Sequence, residues 1–301
     1  MAGRIVLADN QYGKAEVRLV HVDRPASGRH AITDLNITTQ LRGDFEACHT
    51  DGDNSHVVAT DTQKNTVYAF AREHGVGAPE TFLLTLARHF VDGFEWVSGG
   101  TFSAEQYAWE RITVPSQIPE EQGPVEPTTV AEGHDHSFVR TGRETRTALV
   151  EVDGDEEVVI AGLKDCTVLK STGSEFHGFP RDRYTTLAET TDRILATSIT
   201  ATWRYAAAGM DYDATYAGVR DTLLATFATQ HSLALQQTIF EMGKAVLERY
   251  DEVAEVSLSC PNKHHFLVDL SPFELDNPGE VFHAADRPYG LIQATVRREP
   301  Q

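Results

Sequence analysis

Ile199-Thr200-Ala201-Thr202-Trp203-Arg204-Tyr205 alternates apolar and polar side chains without a break, the period of a strand with one buried face. The period then changes. Tyr212, Tyr216, Val219, Leu223 and Phe227 recur at helical spacing, and Ile239, Met242, Val246 and Tyr250 do so again. Strand-like runs return around Val256, at 266–270 and at 291–296, and others precede the quoted stretch at 147–152 and 158–169. This half of the chain reads strands, two helices, strands.

The first half has the same order. Ala15, Val17 and Leu19 alternate with Glu16 and Arg18, and Leu35, Ile37, Thr39 and Leu41 alternate with their polar neighbours; Pro25 and Gly28 separate the two runs. After Val57-Val58-Ala59, Thr60-Asp61 supplies N-cap chemistry for a helix that ends before Gly75. A second helix begins near Pro79, with Phe82, Leu83, Leu86 and Phe90 as its apolar stripe. Strand-like stretches then surround Trp96 and Trp109. The order predicts an α+β fold in which helices cover one face of an antiparallel sheet. The repeat is one of element order, without residue-level identity between the halves.

Residues 113–133 break every period: four prolines and four glutamates fall there, and the stretch is expected to be a surface loop marking a boundary between domains 1–134 and 135–301. A total of 301 residues agrees with two domains at roughly 150 residues each.

The net charge of −19, from 45 acidic and 26 basic residues, opposes binding to nucleic acid or to anionic membranes. Any anionic substrate has to be met by a few basic groups focused locally. Cys48, Cys166 and Cys260 show neither a metal spacing nor a disulfide framework. With no apolar run of spanning length, no secretory leader and no Ser-Lys-Leu ending, the expectation is a cytoplasmic protein.

Several generic motifs fail. Gly173 and Gly178 have phosphate-loop spacing, but Phe179 stands where the lysine belongs; there is no G-x-S-x-G elbow and no H-E-x-x-H. His134 and His136 lie by the proline-rich stretch without a cysteine, which reads as solvated loop rather than metal site. Other segments place polar groups beside apolar strands. Lys14 opens a strand and is ordinarily a solvated charge, of interest as a base only where burial lowers its pKa. Thr60-Asp61 is ordinary capping chemistry, or an anion-binding helix start with a hydroxyl beside it. Phe176 and Phe179 flank a His-Gly pair, as satellite core or as a stacking platform for a planar ligand. His264 and His265 open a strand and point to opposite faces, so they cannot chelate one metal together. Taken separately, none of these names a reaction.

Together, Tyr12-Gly13-Lys14, 60–65, 170–176, Thr190-Thr191-Asp192-Arg193, Leu235-Gln236 and Pro261-Asn262-Lys263-His264 resemble the urate oxidase (uricase) family, in order from about Gln11 to Arg297. The acidic stretch at 113–133 and the C-terminus depart from that pattern without touching these motifs. The resemblance implies two tandem tunnelling-fold (T-fold) domains. It also implies a homotetramer enclosing a tunnel, active sites between subunits, and oxidation of urate by O2 with no cofactor and no metal. Carried over residue by residue, it implies that Arg193 and Gln236 grip the purine edges, with the Leu235 and Asp61 backbone N–H groups beside them. Phe176 stacks on the ring, Thr60 and Asn262 hold oxygen above it, and Lys14 relays protons with Thr60, supported by His264. The rivals are a zinc-dependent T-fold enzyme acting on a pterin or purine, and a non-catalytic purine-binding protein.

Overall fold

Strand propensity and helix periodicity resolve into a single eight-stranded sheet with its helices on one side. The computed structural model describes residues 3, 5–114 and 132–299. In the first half, β1 (Tyr12–Asp23) and β2 (Ala31–Gly43) precede α1 (Glu46–Thr50), α2 (Thr60–Glu73) and α3 (Pro79–Gly93). Then come β3 (Val97–Tyr107), the hairpin β4 (Trp109–Val114) and β5 (Glu132–Arg140), and β6 (Thr145–Asp153). The second half runs β7 (Glu156–Lys170), β8 (Leu195–Tyr205), α4 (Tyr212–Thr229), α5 (Leu235–Arg249), β9 (Val253–Leu267) and β10 (Phe282–Arg297). The sheet order is β1-β2-β3-β6-β7-β8-β9-β10, every pair antiparallel, with β4-β5 as a separate ribbon.

Strand, strand, helix pair, strand, strand thus occurs twice, on either side of the turn at Gly154. The division at 134/135 suggested by composition falls inside β5, so it differs from this repeat by most of β5 and by β6. Most of the expected surface loop at 113–133 lies outside the described residues.

The quoted stretch behaves as its period requires. Ile199, Ala201, Trp203 and Tyr205 are buried, whereas Thr200 and Arg204 are exposed. On the same face of the sheet, Leu35, Ile37 and Leu41 of β2 are buried in the core to which Phe82, Leu83, Leu86 and Phe90 of α3 also belong. Each such side chain contributes about 1.5–3 kcal/mol by leaving water. The other face carries small hydroxyls instead: Thr200, Thr202, Ser257, Ser259 and Thr295 floor a shallow hollow there. Arg146 on β6 joins the two helix layers, donating to Glu80 of α3 at 2.8 Å and to Asp213 of α4 at 2.6 Å.

Three local expectations are corrected. Ala59, not Thr60, is the N-cap of α2, and no side chain caps that end, so Thr60 and Asp61 occupy its first turn. Pro261 does not open a strand but lies inside β9. Pairing with β8 lapses at Cys260 and Pro261, where proline has no N–H to donate. Ala15 is exposed rather than sharing the face of Val17, because β1 carries a bulge.

Candidate active site

The bulge decides where Lys14 points. Lys14 pairs with Thr39 and Val17 with Ile37, so three steps on β1 face two on β2. Glu16 takes up the extra residue at φ 56. Strictly alternating geometry would set Lys14 opposite Val17; the insertion returns it to the face of Thr39 and Ile37, both fully buried under the helices. Close packing at this strand end demands glycine before it, since a Cβ on Gly13 would lie 1.7 Å from the Thr39 carbonyl oxygen.

The same strands fix the start of α2. Thr39 Oγ1 donates to Gln63 Oε1 at 2.8 Å, and Gln63 Nε2 and Tyr12 Oη both donate to the Val58 carbonyl, at 3.3 and 3.1 Å. The first helical turn is thereby held beside Lys14. The α2 ladder begins with Gln63 N–H donating to Ala59, so the N–H groups of Thr60, Asp61 and Thr62 have no partner within the helix. The Asp61 carboxylate accepts from Lys64 and Asn65, and Lys64 chiefly, with a smaller contribution from Lys14, holds its carboxyl below the usual range. Lys14, Thr60 and Asp61 therefore form one cluster, at the β1 end of the sheet.

A second cluster forms where the long β7–β8 connection folds over β9. Phe176 exchanges backbone hydrogen bonds with Thr190 (2.8 and 3.1 Å), and Arg193 N–H donates to Ser174 at 2.8 Å. Phe176 stacks on Phe179 with centroids 5.1 Å apart, and the Arg193 guanidinium lies 5.4 Å from the Phe176 centroid. Phe176, Arg193, Ile194, His264 and His265 border a cavity of about 580 Å³. Burial lowers the Arg193 pKa, and its Nε is buried with no hydrogen-bond partner. His264 stacks on Phe266 at 5.8 Å. Its pKa is pushed down by burial first, then by the Arg193 and His265 charges.

Three other expected residues lie close by without bordering the cavity. Asn262 is on β9 two residues before His264, paired with Thr197. Leu235 and Gln236 begin α5, the first buried and the second exposed. That helix start is joined to the Phe176 segment through a bridge between Ser174 and Ser232.

The structure thus gathers the expected residues into two groups and separates the groups. Five strands stand between β1 and β9. Six inter-strand steps make the separation on the order of 30 Å. Sequence reasoning gave no role to His231, which meets Glu175 beside this pocket; a lone histidine between Gln230 and Ser232 offered no signal. Among the described residues no group of three or more His, Cys, Asp or Glu side chains is placed to hold a metal.

A doubled strand-strand-helix-helix-strand-strand sheet, with helices on one face and an aromatic-guanidinium pocket at the end of its strands, defines a tandem tunnelling-fold protein. The uricase family model matches residues 10–151 and 159–293. The chain is 60% identical over 296 residues to the uricase of Arthrobacter globiformis, covering 98% of this chain and 91% of that one. It is 36% identical to the uricase of Aspergillus flavus, covering 96% and 95%. The crystal structure of the Arthrobacter globiformis uricase superposes with a TM-score of 0.90 at 59% identity, covering 99% of this chain and 97% of that one. This chain belongs to the uricase family.

Proposed function

We propose that the chain oxidises urate with O2 and water to 5-hydroxyisourate and hydrogen peroxide. The observation that carries this reading is Arg193: a half-buried guanidinium over an aromatic ring, with a buried Nε that has no partner. A chain of net charge −19 with 45 acidic residues pairs none of them with Arg193 among the described residues. A planar anion supplies the missing acceptor, since a guanidinium forms two parallel charge-assisted bonds with such an edge. Phe176 stacks on the ring face, and Gln236 meets the opposite edge with the Leu235 N–H beside it. The Asp61 N–H adds a contact from the free first turn of α2.

The chemistry then falls to Lys14 and Thr60. A urate anion stripped of a further proton is electron-rich enough to reduce oxygen itself, so the protein has to hold the ring, move protons and exclude bulk water. Thr60 and Asn262 hold oxygen, and later water, over the ring. Lys14 and Thr60 relay the protons, and His264, held neutral by its surroundings, accepts or donates beside them.

The two clusters lie about 30 Å apart along one sheet, so a complete site takes Lys14, Thr60 and Asp61 from one protomer and the remaining residues from its neighbour. A homotetramer in which the edge strands β1 and β10 pair between chains supplies this, with the hydroxyl-rich sheet face lining an aqueous tunnel. Three free thiols favour a reducing, cytoplasmic setting, and no helix among the described residues is long and apolar enough to cross a membrane.

Incubation with urate and O2 after exhaustive chelation tests the reading. Urate absorbance should fall with stoichiometric peroxide release. Dependence on added zinc, or binding of urate without its consumption, would replace it with one of the rival readings.

A further inference from the structure

Phe176 and Gln236 stand on separate segments, yet a flat ring between them tolerates little relative motion. The backbone joins the two: Glu175 N–H donates to the Ser232 carbonyl at 2.8 Å, and Ser232 N–H donates to the Gly173 carbonyl at 3.0 Å. Ser232 is fully buried, and its Oγ accepts from Thr238 of α5 at 2.8 Å, so the link reaches the helix that carries Gln236. A side-chain cross-link overlies this. The Glu175 carboxylate, 15% exposed, accepts from His231 Nε2 at 2.7 Å on one oxygen and from His177 Nε2 at 2.9 Å on the other. An ionised carboxylate offers acceptors only, so both imidazoles carry their proton on Nε2. The hydrogen bond from His231 first, and that from His177 after it, keep the Glu175 carboxyl below the ordinary glutamate range.

We infer that Glu175, bridging His231 and His177, is a positioning residue that holds the Phe176 segment and the α5 start as one unit around the substrate. It touches no substrate itself. The charge-assisted hydrogen bond to His231 crosses to the α5 loop, while that to His177 fixes the carboxylate within its own segment. Together they restrict the motion that would otherwise spread the stacking ring and the edge-gripping amide apart, and misplacement by an ångström is enough to matter. The inference rests on the reading of Phe176 and Gln236 as purine-binding groups.

Glu175→Ala and Glu175→Gln test it with three measurements: steady-state kinetics, urate binding under nitrogen, and hydrogen exchange of segments 173–178 and 230–236 without substrate. Glu175→Ala should raise both KM and the anaerobic Kd by about ten- to a hundredfold, with the change falling on these rather than on kcat. Exchange should quicken in both segments. Glu175→Gln keeps two hydrogen-bonding atoms between the histidines and should recover most of the affinity. Unchanged affinity in Glu175→Ala, or a loss confined to kcat, would overturn the positioning role. Wild-type protein that neither binds nor consumes urate would instead sink the functional reading, and exchange rates unaltered by Glu175→Ala would then sink the cross-link as well.

Discussion

At the scale of single residues, the two clusters are expected to fail in different ways. On the proposed reading Lys14 moves protons and Arg193 grips the ring. Lys14→Met should therefore cut turnover strongly while anaerobic urate binding stays near wild type; undiminished turnover would remove Lys14 from the chemistry. Arg193→Ala leaves a buried site without its cation and should weaken urate binding by roughly 1.5–3 kcal/mol, measured by calorimetry. His264 gives a pH signature. Burial chiefly, with Arg193 and His265, holds its pKa below the ordinary value. The folded chain then binds fewer protons here than the unfolded one. This group's contribution to stability is intact above about pH 6.5 and is lost as pH falls from there toward the lower folded value. NMR titration of the imidazole should find the wild-type value depressed, and in Arg193→Ala raised but still below the ordinary one, because burial is the larger cause. A wild-type value at or above the ordinary one would contradict this account.

At the scale of elements, alternation and helical spacing made most strands and all four long helices legible. What escaped has a common cause. The bulge at Glu16 shifts the register of β1 by one residue, and nothing in Lys14-Ala15-Glu16-Val17 marks it, because glutamate is a rare occupant of left-handed φ. The N-cap of α2 was misplaced because Ala59 lacks the polar side chain that usually signals a cap. The site was less legible than the fold. Phe176, Arg193 and His264 are separated by long stretches of chain, and each has an ordinary structural reading alone; only the joint resemblance of six motifs put them in one pocket. The bulge is itself testable. Deleting Glu16 should turn Lys14 to the opposite face and reduce turnover to the level of Lys14→Met. Glu16→Gly relieves the unfavourable φ and should keep turnover while adding about 0.5–1 kcal/mol of stability by thermal denaturation.

For the whole molecule, the continuity of the sheet from β1 to β10 could not be read from composition, since the β3–β6 pairing joins segments across the proline-rich stretch. That continuity is what keeps the two clusters apart within a chain, and it makes a prediction about mixtures. Lys14→Met and Arg193→Ala protomers should each be nearly inactive alone. Dissociated together and reassembled, they should regain about a quarter of wild-type activity, because half of randomly formed two-fold pairs are mixed and each mixed pair contains one intact site. No recovery, in assemblies shown to be mixed, would mean that the site does not cross between chains.

The kink in β1 has a twin. On β7, Asp165 sits at φ 63 where the register slips between Leu163 and Cys166, so Leu163 occupies the place that Lys14 holds in the first half. The bend occurs in both halves, but a lysine stands beside it in only one. On the proposed reading the two halves divide the labour: one delivers the proton carrier, the other the grip, and neither can stand in for its sibling. That reading sets the stoichiometry at one purine bound per polypeptide rather than two.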